Sequence, residues 1–346
     1  MKSSNRRFPA EWEEQQGILL CFPHSGKDWP GKYDAIKWDF VEYIKKISLY
    51  EQVFLIVADT KQQNNVTEML GAAHVDLQKV RFITHKTNRS WMRDSGPIIV
   101  KNGDQREVLN FNFNGWAKYK NYQLDKHVPA KVAAALKLPL TQVIYEGSPV
   151  VLEGGAIDVN GKGTLLTSEE CLMHPSIQVR NAGFTKADYE AVFKEYLGIT
   201  NVIWLGDGIE GDDTHGHIDD LCRFVNEDTI VAVVESDANS SNYKALQDNF
   251  KILQNARLEN GQKPKIVTLP MPQKLEFENL SLPASYANFL ILNNCVLVPT
   301  FNDPNDRHAL NIIADCFPGR EVIPVCAIDL IWGFGTLHCL SQQIPL

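Results

Sequence analysis

An α/β chain is predicted by three observations. Short β-branched apolar runs recur along the whole length, helical patterns lie between several of them, and no Pro/Gly/Ser-rich linker divides the sequence. The first strand is read at 53–57 (Val53-Phe54-Leu55-Ile56-Val57), and others follow at 97–100, 163–167, 229–234 and 295–299. Helices are predicted at 33–50, 124–136, 186–197 and 241–258, where apolar residues return at spacings of three and four. A further strand is expected at 149–152, ahead of Glu153-Gly154-Gly155, and Pro270 to Pro283 reads as a surface loop. The organisation predicted is one domain over residues 1–346.

A chain of 346 residues can bury roughly 75% of its extended-chain surface, so core size imposes no limit. Apolar content of 44% with 22% charged residues belongs to a globular protein, not a disordered one. The formal charge of -8, with no basic block, excludes a phosphate-backbone surface and makes nucleic acid an unexpected partner. An acidic balance suits a cationic small molecule, and it also serves solubility. Seven cysteines without close CxxC spacing argue against a disulfide framework or a thiolate zinc site. No h-region follows the charged opening residues 1–9, and no apolar run reaches about 18 residues. A cytoplasmic address without membrane contact is expected; homo-oligomerisation is left open. No Gly-rich nucleotide-binding pattern is found either.

The residues able to do chemistry fall in four places. Cys339 follows Gly333-Phe334-Gly335-Thr336-Leu337-His338, where small residues permit close approach of backbone; a buried small hydrophobe is the alternative. In an extended segment His338 would point to the opposite face, so the base for Cys339 should come from elsewhere. His217 and Asp219 share a face if that segment is extended, and the polar, Gly-rich 206–215 reads as a loop delivering both to a cleft. Its His215, His217, Asp213 and Asp219 lack a recognised metal-ligand order, so no metal is expected. In Trp91-Met92-Arg93-Asp94-Ser95-Gly96-Pro97, Asp94 could pair locally or supply a second carboxylate to a planar guanidinium, with Trp91 offering an aromatic face. Glu153 could mark a plain turn, hold a guanidinium nitrogen, or pair with His217 and keep it protonated.

These stretches carry a specific likeness. Together with Phe8-Pro9-Ala10-Glu11-Trp12-Glu13, Ser285-Tyr286-Ala287-Asn288-Phe289 and the closing His338-Cys339-Leu340-Ser341-Gln342-Gln343-Ile344-Pro345, they resemble the agmatine deiminase family. That family is kin to bacterial peptidyl-arginine deiminase-like proteins within the guanidine-modifying superfamily. The resemblance implies a five-bladed α/β propeller (pentein) with pseudo-five-fold symmetry and a central active site. It also implies Cys339 as nucleophile, His217 as general acid and base, Asp94 and Asp219 as guanidinium ligands, and Glu153 as a further ligand and partner of His217. No cofactor is implied. The expected reaction is hydrolysis of agmatine to N-carbamoylputrescine and ammonia, with a small cationic guanidine as partner. Deimination of free or peptidyl arginine, or a non-catalytic module binding a cation, are the alternatives. The acidic loop of Glu210, Asp212 and Asp213 could attract the distal ammonium, and 301–308 could form part of a rim. One departure stands out: Gly333-Phe334-Gly335-Thr336 replaces the family's usual Gly-Gly-Gly-Asn, which puts bulk and a shorter hydroxyl near the thiol.

Overall fold

The apolar runs become strands because each is buried on both faces, as Val53–Val57 and Thr229–Val233 are throughout. The computed structural model describes residues 5–346, so the first four residues of the charged opening lie outside the described part. One unit recurs in five sheets of three or four strands. An antiparallel pair comes first, and its second strand then crosses through a helix to a third strand laid parallel to it.

Along the chain these units are built on Ile98–Asn102 with Gln105–Asn110, Asp158–Val159 with Thr164–Ser168, Cys222–Phe224 with Thr229–Val234, and Leu290–Ile291 with Cys295–Thr300. Their parallel third strands are Leu140–Gln142, Asn201–Leu205, Lys265–Pro270 and Glu321–Cys326. The remaining unit joins the two ends of the chain: Ser341–Pro345 runs antiparallel to Gln15–Cys21, with Ile18 opposite Gln343. Gln15–Cys21 then crosses through the helix Tyr33–Ser48 to Gln52–Val57. That helix buries Ile36, Phe40, Tyr43, Ile44 and Ile47, the three-and-four spacing read from the sequence.

A short turn precedes the first strand of every unit. It is the four-residue helix Met92–Ser95 in one, the 3₁₀ turns Gly154–Ala156 and Ile218–Asp220 in two others, and the turns at 286–287 and 337–340 in the last two. These five turns carry the chemically capable residues.

Two expectations need correction. The stretch 149–152 is not a strand: Ser148–Pro149 pairs only with Ile144–Tyr145, and Val151 makes an isolated bridge to Asn112. Pro149 lacks the N–H that a continued ladder would require. The 270–283 stretch holds a hairpin, Leu275–Phe277 with Leu280–Leu282, turned by Glu278 and Asn279 at φ of 47° and 66°. Phe277 stacks on Trp332 at 3.7 Å between ring centroids, which gives this hairpin an apolar anchor. The predicted helix at 186–197 is α-helical over Lys186–Val192, continues as a π turn over Phe193–Leu197, and stops at Gly198 with φ of 72°.

Three sequence-distant segments are tied by Arg223, fully buried on Cys222–Phe224. Its guanidinium donates to Glu11 Oε2 at 2.6 Å, Asp158 Oδ2 at 2.5 Å and the Phe289 carbonyl at 3.0 Å. Removing one partner of such a group strands the others, at a cost of about 3–5 kcal/mol. Arg223→Leu should therefore lower stability by that order, read as a fall in the urea midpoint. An unmoved midpoint would show that Glu11 and Asp158 find other partners.

Candidate active site

Asp94 sits in the one-turn helix Met92–Ser95, which aims its carboxylate inward. Oδ1 accepts the Gly155 N–H at 3.1 Å and Oδ2 accepts the Trp116 indole N–H at 2.9 Å. Both donors are neutral. Burial pushes Asp94 up to about 6, Asp219 and Glu153 add to the rise, and His217 and Trp116 oppose it.

Glu153 has no exposure and precedes the 3₁₀ turn Gly154–Ala156. The Nε of Arg180 reaches both of its oxygens, at 3.1 and 3.2 Å. Burial alone would raise this carboxyl, but Arg180 and His217 outweigh it and bring Glu153 down to about 2. The glycines after it are steric requirements. A Cβ on Gly155 would lie 2.5 Å from His217 Nδ1 and 2.8 Å from Asp94 Oδ1.

The loop before His217 is held by Asp212, whose carboxylate accepts the N–H groups of Gly216 and His217 at 2.7 and 2.9 Å. His217 caps Ile218–Asp220 in an extended conformation, with φ of -61° and ψ of 141°, while Asp219 lies inside the 3₁₀ turn. The two side chains converge, though not along a strand: His217 Nδ1 is 4.0 Å from Asp219 Oδ1 and 3.7 Å from Asp94 Oδ1. His217 Nε2 faces Glu153 Oε2 at 3.8 Å. Burial disfavours the imidazolium, yet Asp94, Cys171 and Glu153 together raise His217 well above its ordinary value.

Cys339 occupies the turn just before Ser341–Pro345, with its sulfur 3.1 Å from Asn288 Nδ2 and 3.7 Å from Asp219 Oδ2. Burial raises the thiol well above its usual range, and the Asp219, Asp220 and Asp94 carboxylates add to that rise. Gly335 leaves the sulfur its room, since a Cβ there would come within 3.2 Å of Sγ and 2.8 Å of the Trp91 ring. Next to it, Phe334 takes a left-handed φ of 68°, a strained setting for a bulky side chain.

Cys339, Asp94, Trp91 and Asp213 line one cavity of about 270 Å³, with Phe334, Trp116 and the hairpin residue Glu278 among its walls. A larger cleft of about 700 Å³ shares no lining residue with it, and Asn305 and His308 of the predicted rim belong to that cleft instead. Asp213 carries a salt bridge to Lys118 at 2.6 Å and accepts the Tyr119 hydroxyl at 2.8 Å. Of the acidic loop, Glu210 binds Ser281 at 2.7 Å and Asp212 holds the loop, so neither lines the Cys339 cavity. His338 does turn away from the sulfur: its ring nitrogens contact Asp219 Oδ2 at 2.7 Å and Glu11 Oε2 at 2.9 Å.

Sequence reasoning gave no role to Arg180, Trp116 or Cys171. Their partners are distant in sequence, and nothing local marks them. Asn288 lay within a motif already singled out, which was the available signal. Glu153, Cys171 and His217 each bring a ligand atom within 4.8 Å of the others. Arg180 already engages both Glu153 oxygens and would compete with a metal for that carboxylate.

The Porphyromonas-type peptidyl-arginine deiminase family matches residues 7–345 of this chain. An agmatine deiminase of Pseudomonas syringae pv. tomato is 32% identical, covering 98% of this chain and 95% of the relative. The agmatine deiminase of Enterococcus faecalis superposes with a TM-score of 0.88 at 28% identity, over 99% of this chain and 96% of that one. A cysteine-to-serine variant of the C. jejuni agmatine deiminase with substrate bound gives 0.87 at 31% identity, over 98% and 96%. A chain matched over this length, with its motifs on five converging turns, belongs to the agmatine and peptidyl-arginine deiminase family of the guanidine-modifying superfamily.

Proposed function

We propose that the protein hydrolyses agmatine to N-carbamoylputrescine and ammonia, with Cys339 as nucleophile. One observation carries this reading. Beside the thiol, Asp219 Oδ1 is buried without a hydrogen-bond partner among the described residues and Asp94 is met only by neutral N–H groups, a pair of carboxylates that a planar guanidinium with five N–H donors can complete. The cavity favours a small cation over a peptide. Its 270 Å³ lies near the lower end of small-molecule sites, and its lining holds Asp28, Asp94, Asp213 and Glu278 against Lys27 and Arg89. Agmatine deiminases among the relatives point the same way.

In this reading Asp94 and Asp219 hold the guanidinium with its central carbon toward the Cys339 sulfur, and Trp91 supplies an aromatic wall. The incoming cation offsets the carboxylates that oppose ionisation of Cys339, whose proton passes to solvent. Sulfur attack forms a tetrahedral adduct. Protonated His217, held by Glu153, gives its proton to the departing amine, and ammonia leaves a covalent thiouronium. Neutral His217 then takes a proton from water, hydroxide adds to the same carbon, and the C–S bond breaks to release the ureido product. The adduct's hydroxyl proton passes to the departing Cys339 sulfur and regenerates the thiol, so the one net proton is the one released to solvent, where ammonia takes it up.

The same proposal includes a single catalytic domain with its five units arranged as a five-bladed propeller, and a cytoplasmic address. The five repeats and the pairing of both chain ends in one sheet support the propeller. No helix among the described residues is long and apolar enough to cross a membrane.

With agmatine, free arginine and an internal-arginine peptide compared in metal-free buffer, ammonia release should be fastest with agmatine. Cys339→Ala should reduce it by roughly four orders of magnitude or more. Preference for arginine or the peptide would replace the substrate, and full activity without Cys339 would end the mechanism.

The pH dependence follows from Asp94. A guanidinium prefers the ionised carboxylate, so binding is strong above about pH 6, where Asp94 has lost its proton, and weakens as pH falls through that value. In Cys339→Ser protein, agmatine affinity should drop about tenfold per pH unit below that point, for one proton taken up. Asp94→Asn should flatten the profile. Constant affinity between pH 4.5 and 7 in the Cys339→Ser protein would remove Asp94 from the clamp.

A further inference from the structure

Four of the five turns that precede a first strand supply the clamp, the acid and the nucleophile: Asp94, Glu153, His217 with Asp219, and Cys339. The fifth, ahead of Leu290–Ile291, supplies Asn288, which is 1% exposed. Its amide is fully used. Nδ2 donates to Cys339 Sγ at 3.1 Å and to Asp220 Oδ1 at 3.1 Å, one bond for each N–H. Oδ1 accepts the Thr336 hydroxyl at 2.7 Å, the His338 N–H at 3.1 Å and the Cys339 N–H at 3.3 Å. Rotating the amide by half a turn would set NH₂ against three donors and oxygen against a sulfur and a carboxylate. Only the observed orientation satisfies every group.

We propose that Asn288 is a further catalytic residue, whose side-chain N–H stabilises negative charge on the Cys339 sulfur, and that Thr336 positions it by fixing the amide orientation. The inference rests on Cys339 being the nucleophile. Its physical need is plain, because the sulfur is buried with Asp94, Asp219 and Asp220 as its carboxylate neighbours, and all three oppose thiolate formation. The two imidazoles of the site, His217 and His338, direct their contacts to Asp94, Asp219, Glu153 and Glu11 instead. Asn288 is the neutral donor at hydrogen-bonding distance from the sulfur, and a hydrogen bond to a charged acceptor is stronger than one to a neutral thiol. The departure at Thr336 thereby acquires a role. It lies behind the sulfur, 1% exposed, on the amide that the sulfur depends on.

The test follows Cys339 alkylation by iodoacetamide against pH, located by peptide mass, beside steady-state turnover of agmatine. Asn288→Ala should move the alkylation midpoint upward by about one pH unit, a tenfold loss of thiolate at fixed pH. Its turnover near neutrality should fall about tenfold and recover as pH rises, which a merely structural defect would not do. Thr336→Val keeps the shape, frees the amide, and should move the midpoint in the same direction by a smaller amount. It also provides the measurement if Asn288→Ala does not fold. Midpoints equal to that of the parent protein, with Cys339→Ala inactive, would overturn the role of Asn288 alone. Turnover surviving in Cys339→Ala would overturn the nucleophile and this inference together.

Discussion

Asp94, Glu153, Asp219 and Asp220 are buried within one site, and the surrounding structure is arranged by their need for countercharge. Glu153 has Arg180, and Asp219 has His338 with Arg223 beyond it; both carboxyls are held below their ordinary values. Asp94 has only the neutral N–H groups of Trp116 and Gly155 as direct donors, and burial leaves it raised. The difference among these carboxyls is therefore one of partners, since all are equally removed from water. Asp220 is raised likewise, with the neutral Asn288 amide as its side-chain donor; of these two, Asp94 lines the cavity, so in the proposed mechanism its charge is the one an incoming cation meets.

The same balance holds Cys339 as a thiol in the free protein, which the proposed mechanism has to overcome. Its desolvation and its carboxylate neighbours act in one direction. In the proposed mechanism a guanidinium bound among those carboxylates reverses part of that effect at the moment the sulfur is needed. In that mechanism His217 does not carry this burden alone, because its raised proton affinity suits the donation of a proton and its contacts go to Asp94, Asp219 and Glu153.

Much of this was legible in the chain. Strands such as 53–57 and 229–234 were marked by β-branched runs, and Asp94, Glu153, His217, Asp219 and Cys339 by charged or thiol residues set among glycines and turns. Local chemistry of that kind survives in one dimension. Arg180, Trp116 and Cys171 were not legible because their importance lies in contacts across 27, 22 and 46 residues, to Glu153, Asp94 and His217. The hairpin over 275–282 was missed for a different reason. Its strands are three residues each and flanked by prolines, so composition argued for a loop while the Phe277–Trp332 stack decided otherwise.

The five-unit repeat itself left little trace in the sequence, and the site explains why. The turn before each first strand holds an equivalent place in its unit, yet one carries Asp94, another Glu153, another His217 with Asp219, another leads into Asn288 and another carries Cys339. Each role imposes its own neighbours: Gly155 must lack a Cβ to admit His217 and Asp94, and Gly335 must lack one to admit the sulfur and Trp91. Different side chains at equivalent turns leave no common pattern there from which a repeat could be read. What the backbone keeps is direction, since every such turn feeds a strand of the same pattern, and that common direction allows residues as far apart as Asp94 and Cys339 to share one cavity.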